Sequence, residues 1–169
     1  GIIIKLDDVS CNGEGDGSIS LTAEGGTPGY QFEMNGETNT DGFFVNMDVG
    51  DYSIQITDAN GCEITIDLSI EEPEPVLLDV QQTAQNGCNG DANAAIVATA
   101  TGGNGVFTYS LNGQSNDTGT FDGLTEGTYM VMVSDEIGCT SSVEYIIEDP
   151  APIVLNVEET QSILCAGEG

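Results

Sequence analysis

The sequence predicts an all-β protein: tandem Ig-like or fibronectin-like β-sandwiches with a period of 77 residues. Three observations predict it. The first is self-similarity, which decides the organisation of a chain before anything else. The cysteines fall at 11, 62, 88, 139 and 165, and 88 − 11, 139 − 62 and 165 − 88 all give 77. The same shift lays Cys11-Asn12-Gly13 on Cys88-Asn89-Gly90, Gly25-Gly26 on Gly102-Gly103, and Asn35-Gly36 on Asn112-Gly113. It also lays Asp58 on Asp135, Glu71 on Glu148, and Pro73 and Pro75 on Pro150 and Pro152. The second observation is alternation: Tyr52, Ile54 and Ile56 interleave with Ser53, Gln55 and Thr57, the period of a strand with one buried face. The third is turn chemistry at regular short intervals with no convincing helical period, the mark of a sandwich.

Taken in order, Ile2 to Leu6 is an apolar opening strand, followed by an acidic, Gly-rich loop from Asp7 to Gly17 that carries Cys11. Ser18 to Ala23 is the second strand. A turn on Gly25, Gly26 and Pro28 leads to the third, Tyr30 to Met34. Asn35-Gly36 is a hairpin signal, because both residues tolerate positive φ. Phe43–Met47, Tyr52–Thr57 and Glu63–Ile70 complete the unit, with Asp58-Ala59-Asn60-Gly61 as the last turn. Unit two repeats the scheme at Val76–Val80, Ala95–Ala100, Val106–Leu111, Thr120–Leu124, Tyr129–Ser134 and Ser142–Ile147. Ile153–Val157 opens a third unit. The expected boundaries are 1–75, 76–152, and 153–169 as the first strand of a further repeat. Glu71-Glu72-Pro73-Glu74-Pro75 and Glu148-Asp149-Pro150-Ala151-Pro152 join them as short, extended linkers, stiffened by proline and by carboxylate repulsion.

Tyr52 and Tyr129 each open a strand just after a Gly turn, at Gly50 and Gly127. This resembles the tyrosine corner of Ig-like sandwiches, where the hydroxyl ties the crossing loop to the backbone. A unit this small is marginal without a staple. Cys11 and Cys62 have the same spacing as Cys88 and Cys139, so the expected bridges are Cys11–Cys62 and Cys88–Cys139. Each would contribute about 4 kcal/mol in the chain-entropy model. Free thiols are the bland alternative. A metal site is weaker still, because the sequence has no His and no CxxC. Disulfides imply an oxidising compartment. Cys165 is left unpaired or intermolecular, its partner expected in a further unit.

Charge excludes whole classes of function. There are 29 acidic residues and one basic residue, Lys5, for a formal net charge of −28. Nothing neutralises phosphates, so nucleic acid is excluded, and anionic membrane surfaces repel the chain. No run is apolar enough to insert into a membrane. The start at Gly1 is read, for an oxidised protein, as a processed product or a segment of something longer.

The motifs form a set: Cys-Asn-Gly, a Gly-Gly turn before an aromatic strand, Leu124-x-x-Gly127-x-Tyr129, Asp135-x-x-Gly138-Cys139, and Glu148-x-Pro150. The set resembles the SprB-type repeat of very large surface adhesins of gliding bacteria. It covers residues 1–152, with 153–169 as the start of another copy; unit one departs from it conservatively at Met47 and Val49. The resemblance implies an extracellular, secreted, multi-repeat surface protein at the cell surface. It implies no ligand.

Catalysis is not expected, since a Ser nucleophile has no His and hardly a Lys to serve as base. Among chemical readings calcium leads, because hard cations take several oxygens on a turn. The candidate ligands are Asp7, Asp8 and Asp16 (with Glu14) in the first loop, Asp58, Asn60 and Asp135 (with Glu136) on the turn before the second cysteine, and Glu71 and Glu148 at the junctions (with Glu72 and Asp149). None has EF-hand spacing, and a surface carboxylate or an Asx turn is the plain reading of most of them. Asn116-Asp117-Thr118 is a formal glycosylation sequon in one copy only, and Lys5 has no counterpart in unit two to support a Lys–Asn isopeptide bond. The leading reading is a non-catalytic stalk, spacer or fibre building block whose partners are neighbouring repeats or identical subunits. A second is a filament joined by strand addition through 153–169. A third is a module for surface glycans, which would need Tyr30, Phe32, Phe107 or Tyr109 exposed.

Overall fold

In the computed structural model, which describes residues 1–158, every regular element is a β-strand. The first seven are β1 (Ile2–Asp7), β2 (Gly17–Ala23), β3 (Gln31–Met34), β4 (Glu37–Asn39), β5 (Phe43–Met47), β6 (Gly50–Thr57) and β7 (Glu63–Ile70). They form a three-stranded sheet, β1-β2-β5, and a four-stranded sheet, β4-β3-β6-β7. The next seven are β8 (Leu77–Ala84), β9 (Ala94–Thr101), β10 (Thr108–Leu111), β11 (Gln114–Asn116), β12 (Thr120–Leu124), β13 (Gly127–Ser134) and β14 (Thr140–Ile147). Their sheets are β12-β9-β8 and β11-β10-β13-β14, the same partition one period on.

Each pair of sheets closes on one core. Ile19 and Leu21 of β2 and Phe44 and Met47 of β5 meet Phe32 and Met34 of β3, Ile54 and Ile56 of β6, and Ile70. In the second pair, Ala94, Ile96 and Ala98 face Tyr109, Leu111, Val131, Val133 and Ile147, with Phe121 and Leu124 beside them. Inward residues alternate with outward ones along β6 and β13, so burial follows the period of the pleat. These are Ig-like or fibronectin-like sandwiches.

Strand ends are set by local chemistry. Asn35 and Asn112 have φ of 52° and 48°, and the glycines after them 82° and 85°, so both Asn-Gly pairs make the expected tight hairpin. The short edge strands β4 and β11 that these hairpins create are absent from the sequence reading. They are three residues each, with nothing fully buried, and carry no apolar signal. Gly42 and Gly119 sit at φ 69° in both units, where a side chain would strike the carbonyl of Leu21 or Ala98. Their own carbonyls accept from Leu21 and Ala98 N–H, each at 2.8 Å.

Tyr52 Oη donates to Asp48 O at 2.9 Å, and Tyr129 Oη to Thr125 O at 3.1 Å. Both tyrosines thus clamp the crossing from one sheet to the other, as the tyrosine-corner reading expects.

Ile153–Val157 differs from expectation: it is not a strand. Ile153, Val154, Leu155 and Val157 are exposed. In unit two the matching segment is held by β9, from Ala94 on, and one period later that partner falls past residue 169.

Replacing Tyr129 by Phe removes the clamp and leaves the Thr125 N–H, 3.2 Å from the same oxygen, without its partner. Urea unfolding should show a loss of about 1–2 kcal/mol, with an unchanged far-UV spectrum.

Candidate functional site: the bridged junction and its carboxylate-capped turns

Two loops per unit matter, and they lie at opposite ends of the sandwich. The first follows β1. Val9 N–H donates to Glu71 O, and Glu71 N–H to Asp8 Oδ1 at 2.9 Å, so this loop sits beside the end of β7. Gly13 N–H donates to Glu72 Oε2 at 2.8 Å, and Asn12 Nδ2 to Pro73 O at 3.1 Å. Inside the loop, Asp16 accepts from the Ser10 amide and hydroxyl at 2.8 and 2.5 Å. Those bonds, the hydroxyl first, hold its carboxyl below the usual range.

The second loop joins β6 to β7. Asp58 Oδ1 accepts from Asn60 and Cys62 N–H, and Oδ2 from Thr27 N–H, each at 2.9 Å. The Thr27 bond leads in holding the Asp58 carboxyl below its usual range. Asp135 repeats the design more tightly. Oδ1 accepts from Ile137, Gly138 and Cys139 N–H at 3.0, 2.9 and 2.8 Å, and Oδ2 from Asn104 N–H at 2.7 Å. Burial alone would raise this carboxyl, but four amides hold it below the usual range.

The bridge joins these two kinds of loop across units. Cys11 is bonded to Cys139, with Cα atoms 5.5 Å apart, while Cys62 and Cys88 are free and exposed. This corrects the expected pairs Cys11–Cys62 and Cys88–Cys139. The reason is geometric. The first loop lies where Gly17 pairs with Met47 and Gly50 with Ile70; the second lies where Thr57 pairs with Glu63. All eight residues of β6 separate them, roughly 25 Å at 3.3 Å per residue. A disulfide needs Cα atoms within about 7 Å. The bridge therefore runs from the far end of unit one to the near end of unit two. Asn104 Nδ2 donates to Ser10 O at 3.4 Å alongside it. Cys165 lies outside the described residues.

The candidate cation ligands are not gathered. Asp7 is bound to Lys5 and Ser18, with the Lys5 bond foremost in holding its carboxyl down. Asp8 accepts from Glu71 N–H and Asp16 is taken up within the first loop, and Asp58 and Asp135 at the near end of their units cap backbone amides. Asn60 Nδ2 donates to Thr27 Oγ1 at 2.6 Å. Glu71 takes part through its backbone, and Glu148 is exposed. Among the described residues no group of three or more His, Cys, Asp or Glu is placed to hold a metal ion. The aromatics for a glycan surface face inward: Phe32 and Tyr109 are buried, and Tyr30 and Phe107 pack against the cores. Asn116 ends β11 and caps the turn after it, its Oδ1 accepting from Thr118 and Gly119 N–H.

Sequence reasoning missed the clasp on the first loop. Glu72 binds Gly13 N–H as Asp149 binds Gly90 N–H, at 2.8 and 2.6 Å. The available signal was their shared place in the period.

Two segments of the chain, residues 4–39 and 80–116, match the SprB repeat. No curated relative matches the sequence. Among solved structures, the chain is similar to the C-terminal fragment of intimin in complex with the intimin-binding domain of Tir. The identity is 14%, the TM-score 0.49, and coverage 87% of this chain and 64% of that one. It is also similar to three N-terminal domains of the outer capsid protein Hoc of bacteriophage RB49, at 15% identity and TM-score 0.48, covering 87% and 59%. The fibronectin(III)-like modules of CbhA from Clostridium thermocellum align at 18% identity and TM-score 0.34, covering 86% and 94%. The chain thus spans less than two thirds of the first two.

Removing the charge of Asp135 should expose its contribution through pH. The carboxyl titrates lower in the folded chain than in the unfolded one, so its stabilisation is complete above the ordinary Asp value of about 4 and fades as pH falls below it. Asp135→Asn is expected to lower the urea midpoint at pH 6 to 7, with the gap to wild type closing towards pH 3. A gap independent of pH would contradict this.

Proposed function

From two SprB repeat segments held in one register, we propose that the chain is a non-catalytic repeat module of an extracellular, surface-located adhesin or filament, acting as a stalk or spacer. Its modules are residues 1–75 and 76–152. The single observation that carries this reading is the Cys11–Cys139 bridge. A bond between modules contributes nothing to a pocket, but it fixes the angle between them. Stalks need that fixed angle; binding clefts on single modules do not. The same bond supports an oxidising compartment, outside the reducing cytoplasm. The acidic surface and single Lys of this chain supply no nucleophile-and-base constellation among the described residues. Its partners on this reading are other repeats.

Small-angle scattering tests the role. The intact chain is expected to give one elongated particle whose maximum dimension equals two sandwiches end to end. Cys139→Ser should broaden the distance distribution while both sandwiches stay folded. Equal breadth with and without the bridge would sink the stalk reading.

A second reading has its own observation. Ile153, Val154, Leu155 and Val157 are exposed and unpaired among the described residues. An apolar segment of that kind adds to a neighbour's sheet edge, which builds an open filament. Deleting 153–169 separates the readings: concentration-dependent association should vanish if this segment joins subunits, and the deleted chain should behave as wild type if it does not.

A further inference from the structure

We infer that Cys62 and Cys88 are the two open halves of a bridge identical to Cys11–Cys139, and that in tandem the first cysteine of every repeat is bonded to the second cysteine of the next. The inference rests on the repeat reading above and names what occupies each end: another copy of the same repeat, in the same polypeptide. One period before Cys139 is Cys62, and one period after Cys11 is Cys88. Each is therefore the counterpart of a residue that is bridged in this molecule.

Both halves are already built. Cys62 sits on a turn whose Asp58 accepts from Cys62, Asn60 and Thr27 N–H, as Asp135 does for Cys139, Ile137 and Asn104. Asp58 N–H donates to Cys62 O at 2.9 Å, as Asp135 N–H does to Cys139 O. At the other end, Asp91 N–H donates to Cys88 O as Glu14 N–H does to Cys11 O, at 3.1 and 3.0 Å. The junction carboxylates Asp149 and Glu72 clasp the two loops alike. The thiol-bearing turns thus have the backbone of the bonded ones.

Burial supplies the independent sign that something seats there. Cys139 and Asp135 are buried under unit one, whereas Cys62 is exposed and Asp58 half-buried. Ser10 and Cys11 are half-buried against unit two, whereas their counterparts Gly87 and Cys88 are exposed. The concavities tell the same story. At the bridged junction one cleft is walled by Cys11, Asn12, Pro75 and Val76 on one side and by Gly138 to Thr140 on the other. At the free end a cleft is walled by Cys88, Asn89, Pro152 and Ile153, the same positions one period on, without the opposite wall. Because unit one presents its far end to the near end of unit two, Cys62 and Cys88 stand at the two outer ends of the pair and cannot bond each other within one chain.

The bond forms by ordinary exchange. A Cys thiolate attacks the disulfide of a thiol–disulfide oxidoreductase, giving a mixed disulfide, and the second thiolate displaces the enzyme's sulfur. The two thiol protons and the two electrons both end on the oxidoreductase's sulfurs, which become a dithiol. Both cysteines are exposed, so the oxidant has access.

The test inserts a copy of residues 76–152 between Pro152 and Ile153 of the full chain, made in an oxidising compartment and digested without reduction. Disulfide mapping by mass spectrometry should find the Cys88 peptide linked to the second cysteine of the inserted copy, with Cys11–Cys139 retained and Cys62 alkylated as a free thiol. Cys88→Ser in that background should free the inserted copy's second cysteine alone. Cys88 bonded within one unit, or fully alkylated while Cys11–Cys139 is formed, would overturn the inference. Scattering keeps the two claims apart. An elongated particle longer by one sandwich with Cys88 unbridged sinks the bridge and spares the stalk, whereas a compact particle sinks the stalk.

Discussion

The length of one strand governs this molecule. Eight residues of β6 hold the loop after β1 and the loop after β6 apart by roughly 25 Å, and antiparallel pairing fixes which end each occupies. Every consequence at the junction descends from that separation. A sulfur bridge between those two loops cannot be made inside a sandwich of this connectivity. It is made between sandwiches, because stacking them end to end brings the far loop of one against the near loop of the other. The tyrosine clamps of Tyr52 and Tyr129 and the close approaches at Gly42 and Gly119 keep the strand paths that define those ends.

Acidity sharpens the need for a covalent link. With a net charge of −28, adjacent units repel, and the junction itself carries Glu71, Glu72 and Glu74. Some of that charge is taken into structure. Asp58 and Asp135 give their oxygens to backbone amides, and Glu72 and Asp149 to the loops beside the cysteines. What remains keeps the surface solvated, while the bridge holds neighbours in contact despite it. The loop it closes spans 128 residues, worth about 5 kcal/mol in the chain-entropy model.

What was legible in the sequence was local or periodic. Asn35-Gly36 and Asn112-Gly113 announce their hairpins through backbone preference alone, and Tyr52 and Tyr129 announce their corners through position after a Gly turn. Phe43–Met47, Glu63–Ile70 and Thr120–Leu124 could be bounded by alternation and turn residues. The cysteine pairing was illegible for a definite reason. A spacing that repeats from Cys11–Cys62 to Cys88–Cys139 is equally well preserved when Cys11 joins Cys139, so the period cannot choose between them. The choice lies in which end of the sandwich each loop occupies, which requires the strand path. β4 and β11 hid because three polar residues on an edge carry no pattern. Asp58 and Asp135 looked like cation ligands by composition, yet their oxygens are taken by amides that no residue-type count reveals.

The bridge also decides how the chain answers to pulling. Tension applied at the two termini loads β1, crosses from Cys11 to Cys139 through the sulfur bond, and leaves along β14. The backbone between the two cysteines, which holds β2 to β13, carries none of it. An ordinary string of sandwiches lengthens by unravelling one domain after another. This one is closer to a cable: once β1 and β14 are drawn out, lengthening it further means breaking a covalent bond, and a reductant, rather than force, is what would release the rest.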